Sequence, residues 1–132
     1  MIMLLSPCTG QDSSSQDFKP FRIPFAEGEE YRLLLEGPPT TSGLRCGRVV
    51  LKPGEAAGEH TTGQHEEVLV ILEGKGELWF RDFPSLSAEE GHLLYVPPQT
   101  VHDVTNTGTA TLRYLYIVAP VPENHGTRPR HD

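Results

Sequence analysis

Cysteine is nearly missing from this chain: its 132 residues hold two, Cys8 and Cys46. Two cysteines close one disulfide at most, and Cys8 lies in a polar stretch, so a disulfide framework is excluded as the basis of the fold. Basic residues are outnumbered, 11 Lys and Arg against 18 Asp and Glu, for a net charge of -7. That balance repels phosphate backbones and anionic bilayers, so we expect neither nucleic acid nor a membrane surface as partner. Long apolar runs are lacking too. The apolar start over residues 1–5 follows no basic stretch and is far shorter than a signal-peptide core or a membrane span. We therefore expect no export signal and a cytoplasmic protein. What the chain has in plenty is punctuation, 13 Gly and 12 Pro. Such density breaks long helices and predicts a turn-rich, all-β protein whose length suits one domain.

Residues 6–20 are polar and of low complexity, too poor in apolar side chains to fix themselves, and residues 1–20 are expected to form a flexible arm. From Phe21 onward, short apolar runs bounded by Gly, Pro or Asn recur at 21–25, 30–35, 43–51, 66–73, 75–81, 92–96, 100–105 and 110–118. That spacing predicts a sandwich or barrel over 21–120, with a flexible tail over 121–132. The run from Glu66 to Glu73 is short, rich in β-branched residues and stopped by Gly74-Lys75-Gly76. It reads as a strand entering a hairpin turn.

Six histidines are present, at 60, 65, 92, 102, 125 and 131. The last two sit in the polar tail, and His92 follows Gly91 apart from the residues that converge below; all three read as ordinary. His60, His65 and Glu67 fall close together, and His102 lies in a later strand-like stretch. Imidazoles and a carboxylate converging from two strands suit a transition metal. In a strand, residues two apart share a face. His65 and Glu67 therefore point one way with Leu69 and Ile71, while His102, Val104 and Asn106 share a face with Asp103 opposite. His60 joins the inward set only if the segment Thr61-Thr62-Gly63 interrupts the strand, and Gly63 supplies that freedom.

The spacing continues in register. Gly54, His60, Glu67 and Gly74 are separated as Gly, five residues, a His-x-x position pair, four residues, Glu, six residues and Gly. Gly91, Pro97, His102 and Asn106 follow a second pattern. These two stretches, spanning 54–106, resemble the two sequence motifs of the cupin superfamily. Thr62 stands where that family usually has a second histidine, and Gln99 stands where it has a turn glycine. The resemblance implies a single-domain double-stranded β-helix (jelly-roll) barrel. It also implies one divalent transition metal (Fe, Mn, Zn, Ni, Co or Cu) on His60, Glu67 and His102. Our inference is that His65 fills the vacancy at Thr62. The competing arrangement is a site of two histidines and one carboxylate suited to non-haem Fe(II), with Thr62 and Gln64 beside it.

A metal so held can polarise a carbonyl, stabilise an enolate or bind dioxygen beside substrate. The resemblance therefore implies a metal-dependent enzyme of dioxygenase type acting on a small organic molecule. The alternatives are an isomerase, epimerase or lyase in which Tyr95 or His65 moves the proton, and a non-catalytic small-molecule-binding module. No helix pair suited to DNA binding precedes the barrel. Homodimerisation through the outer sheets is expected, as related cupins commonly pair in this way. Trp79, Phe80, Tyr95, Tyr114 and Tyr116 read as core or barrel lining, and Cys46 as a small buried residue. Arg45 and Arg48 have opposite parity, so at most one faces the interior; an inward arginine favours an anionic substrate.

Overall fold

The computed structural model describes residues 17–122. Cys8, His125, His131 and most of the arm and tail expected at the two ends lie outside the described residues. Among the described residues there are nine strands and no helix. They are β1 (Arg32–Glu36), β2 (Arg45–Leu51), β3 (His60–Thr61), β4 (His65–Glu73), β5 (Lys75–Phe80), β6 (Leu86–Glu89), β7 (Leu93–Val96), β8 (Val101–Thr105) and β9 (Leu112–Pro120). They form two antiparallel sheets, one ordered β1-β2-β9-β4-β7 and the other β3-β8-β5-β6. The chain is an all-β double-stranded β-helix, as the spacing of its apolar runs implies.

Alternation builds the core. Along β4, Glu67, Leu69 and Ile71 are buried while Val68, Val70 and Leu72 are half-buried on the opposite face. Leu51, Leu78, Phe80, Ala88, Leu94, Val96, Val104, Leu112 and Tyr114 complete the cluster from the other strands. Each apolar side chain so buried contributes roughly 1.5–3 kcal/mol against exposure. Asn106 is one of five buried polar residues, with Arg48, Glu67, Thr100 and His102, and its side chain is hydrogen-bonded at both ends. Its Nδ2 donates to the Leu51 and Ala110 carbonyls at 2.9 Å, and its Oδ1 accepts from the Gly108 amide at 2.8 Å.

The structure corrects three local expectations. Residues 21–25 form no strand; they belong to a segment held by side chains instead. Arg48, inside β2 and buried, donates to the carbonyls of Phe25, Glu27 and Glu30. Gly74-Lys75-Gly76 is not a hairpin turn, because β4 pairs with β7 and β9 whereas β5 pairs with β6 and β8. The chain crosses there from one sheet to the other, and Gly74 adopts φ of 85° at a point where a Cβ would collide with the Thr111 carbonyl. Trp79 and Tyr95 are not lining residues. Leu78, Phe80, Leu94 and Val96 take the inward positions of β5 and β7, so the two aromatics face outward, 38% and 48% exposed. Two short strands, β3 and β6, carry too few apolar residues to stand out by composition.

Candidate metal centre

The site is assembled from three strands. β3 is paired with β8 in a register that sets His60 directly opposite His102, their ring centroids 4.3 Å apart. β4 brings Glu67 from the facing sheet. Gly63, at φ of 57°, turns the chain between β3 and β4, and the His65 amide closes that turn on the Thr62 carbonyl. The break lets His60 and Glu67 meet despite their odd separation.

His60, Glu67 and His102 each offer a ligand atom, and these atoms all lie within 4.8 Å of one another. The donor chemistry suits a cation. The Nδ1 of His60 is 2.8 Å from the Gly58 carbonyl and the Nδ1 of His102 is 3.0 Å from the Thr100 carbonyl. A carbonyl only accepts, so each Nδ1 carries the proton and each Nε2 is left as the ligating nitrogen. The Nε2 of His102 faces Oε1 of Glu67 at 3.0 Å, both nearly without solvent exposure. Two donors on one ion at about 2.0–2.1 Å stand roughly 2.9 Å apart at right angles, so this spacing accommodates an ion. Without one, a proton on Nε2 must hold the pair together. Burial alone lowers the His102 pKa, but the hydrogen bonds to Glu67 and Thr100, with the charges of Glu67 and Asp103, outweigh it and raise the pKa above the ordinary value.

His65 stands elsewhere. It shares the inward face of β4 and lines the same cavity, but it is not within the cluster of three ligand atoms. It opens β4, about 6.8 Å along the strand from Glu67. The structure therefore brings together three of the four expected ligands. Thr62 is committed to the fold: its hydroxyl donates to the Pro97 carbonyl at 2.7 Å and accepts from the Thr100 amide at 3.0 Å. This ties the two motif loops together beside His102. Gln99 takes the left-handed φ of 55° that the turn requires, its amide bonded to the Gly63 carbonyl. Asp103 faces outward and accepts from the Gly58 amide, supporting the carbonyl that holds His60.

Around the cluster lies a cavity of about 540 Å³ with a largely apolar wall, including Val49, Leu51, Leu69, Val104 and Val118. Its polar lining beyond the cluster includes Tyr31, Arg45, Tyr114 and Tyr116. Burial pushes both the Tyr114 and Tyr116 phenols well above their ordinary pKa, so both are neutral hydroxyls at physiological pH. Parity identified Tyr114 and Tyr116 as candidate lining, but no sequence pattern pointed to Tyr31, which precedes β1 and also lines the cavity. Tyr95 is outside it, its hydroxyl 2.6 Å from Glu66 on the outer face, so it has no access to a substrate. Cys46 is buried, and burial raises its thiol pKa, as befits an inert packing residue.

A sheet pair of this topology with histidines and a carboxylate facing a cavity between the sheets defines a cupin barrel. The model of the cupin domain family matches residues 47–118, and the chain belongs to that family. It is 37% identical over 60 residues to the uncharacterized protein MJ1618 of Methanocaldococcus jannaschii. That match covers 46% of each, so the chain spans about half the length of this curated relative. Among solved structures, it resembles BH2720 from Bacillus halodurans at 22% identity, with a TM-score of 0.68, covering 83% of this chain and 87% of that one. A predicted oxalate decarboxylase from Thermotoga maritima is 23% identical with a TM-score of 0.63, over 69% of this chain and 79% of that one. At these identities the likeness is one of fold. No helix among the described residues is long and apolar enough to cross a membrane.

Proposed function

We propose that this chain is a metal-dependent cupin enzyme of dioxygenase type, with one divalent transition metal on His60, Glu67 and His102 and a small organic substrate in the adjoining cavity. One observation carries the reading: both imidazoles commit Nδ1 to a backbone carbonyl, leaving both Nε2 atoms for the cluster. Two histidines and one carboxylate leave coordination positions open, the donor set suited to non-haem Fe(II). The metal would supply an open coordination position and Lewis acidity beside the substrate. The chain's own residues would bind the substrate, with Tyr31 and Tyr116 among the polar lining. His65 lines the same cavity outside the cluster; as a fourth ligand it would have to turn toward it. An isomerase or lyase is the second reading, favoured by an imidazole at His65 that is in the cavity yet outside the cluster. We further propose a cytoplasmic homodimer.

The test is elemental analysis of untagged protein purified without chelator, beside His60→Ala and His102→Ala. Near-stoichiometric metal in the wild type, lost in both variants with the fold kept by circular dichroism, is expected. Full occupancy in both variants, or none in a reconstituted wild type, overturns the assignment. Oxygen consumption by the loaded protein then separates the dioxygenase from the isomerase and lyase readings.

A further inference from the structure

The cavity has one Lys or Arg among its lining residues, Arg45. Arg45 opens β2 and pairs with Val118 on β9, which in turn pairs with Glu67 on β4. The three form one row across the sheet, all lining the cavity. Arg45 and Glu67 are therefore two strand spacings apart, about 10 Å between Cα atoms. A flexible arginine closes part of that gap, so one small molecule can touch the cluster with one end and the guanidinium with the other. Arg48 and Arg113 are engaged by carbonyls and carboxylates. Among the described residues, no carboxylate forms an ion pair with Arg45.

A second polar group stands nearby. The hydroxyls of Tyr31 and Tyr116 are 2.6 Å apart, with the two rings stacked. One O–H makes that bond, and the other remains to donate elsewhere. Tyr116 lies over Gly47, where a Cβ would collide with its ring. Gly47 is two residues from Arg45 on the same face of β2, so the phenol and the guanidinium share one end of the cavity. The wall between them and the cluster is mostly apolar.

We propose that Arg45 is the specificity-determining residue of this cavity, and that the substrate carries a carboxylate at the end away from His60, Glu67 and His102. The proposal rests on the reading of the cavity as a substrate site. A guanidinium fork matches the two oxygens and single charge of a carboxylate. A phosphate, with nearly two charges and three oxygens, is met by several cations or amides, and this end offers one cation. The chain's net charge of -7 works against anions in general, so an anion is retained here only by a local cation.

The experiment is calorimetric titration of wild type, Arg45→Gln, Arg45→Lys and the surface control Arg81→Gln. The probes are the dicarboxylates malonate, succinate, glutarate and adipate, glutaramide as an uncharged counterpart, and inorganic phosphate, each tested on metal-loaded and metal-free protein. At least one dicarboxylate should bind wild type about tenfold more tightly than glutaramide, a margin that Arg45→Gln removes and Arg45→Lys partly keeps. Arg81→Gln should match wild type. Binding of no dicarboxylate, a margin unchanged in Arg45→Gln, or phosphate binding more tightly than every dicarboxylate overturns the proposal. The metal-free arm separates the two readings: a protein that takes no metal yet shows the Arg45-dependent margin refutes the metal site alone, and a loaded protein without the margin refutes the carboxylate alone.

Discussion

His102 shows how much one buried side chain organises. Its Nδ1 is fixed by the Thr100 carbonyl, its Nε2 meets Glu67, and Thr62 anchors Thr100 from the other motif loop. Thr62 thus occupies a family ligand position while acting as a tie. Thr62→Val keeps the volume and loses both hydrogen bonds, and should cost about 1–2 kcal/mol in urea denaturation. Because the bond also sets the carbonyl that orients His102, metal affinity should fall too, and unchanged affinity would reduce Thr62 to a stabilising role. His65→Ala asks a graded question of the neighbouring position. With three ligands in the cluster, its metal affinity should stay within a few fold of wild type; a loss of about a hundredfold would mean that the imidazole turns inward and ligates. The facing of Glu67, His65, His102 and Asp103 was legible in the sequence, because strand parity is a local property. The choice between Arg45 and Arg48 was not. Parity separates them, but which one meets the cavity depends on the pairing of β2 with β9, a long-range fact.

At the scale of elements, two glycines with nearly the same backbone separate strain from collision. Gly54 and Gly74 have φ of 87° and 85°, but a Cβ at Gly54 meets nothing within 4 Å, whereas at Gly74 it meets the Thr111 carbonyl. Gly54→Ala should cost about 1–2 kcal/mol, the left-handed penalty alone. Gly74→Ala should cost more, about 3 kcal/mol or above, since the crossing between sheets must shift as well. Equal midpoints in urea would contradict the distinction. The sequence marked both positions as turns but not their kind: a hairpin and a crossing between sheets have the same local punctuation, and only the partners of β4 and β5 tell them apart. The segment before β1 was equally illegible. Residues 21–25 have the composition of a strand, yet this part of the chain is held by Arg48 through backbone carbonyls, an interaction no periodicity encodes. Arg48→Met should release it, and amide exchange over residues 25–31 should accelerate while the core strands keep their protection.

At the scale of the molecule, the outer face of the five-stranded sheet is unusually apolar for a chain so acidic. Val68 pairs with Tyr95 on one side and Ile117 on the other, and Val70 with Leu93 and Leu115. These six side chains form two adjacent rows over three strands. Val68, Val70, Leu115 and Ile117 are half-buried, and Leu93 and Tyr95 are exposed, at 63% and 48%. Contiguous apolar surface of this kind is retained where another surface covers it. A second copy covers it without burying a free charge, because Arg113 at one margin is already paired with Glu73 and Glu29 and Glu66 at the other accepts the Tyr95 hydroxyl. An isologous pair across a two-fold axis sets this patch against its own copy. Sedimentation equilibrium should accordingly give twice the monomer mass of 14.6 kDa. Leu93→Arg, at the most exposed of the six positions, should shift the protein to monomer without loss of bound metal, since the side chain faces away from the cavity. A monomeric wild type would assign this face to another role, and a dimer indifferent to Leu93→Arg would place the interface on a different surface.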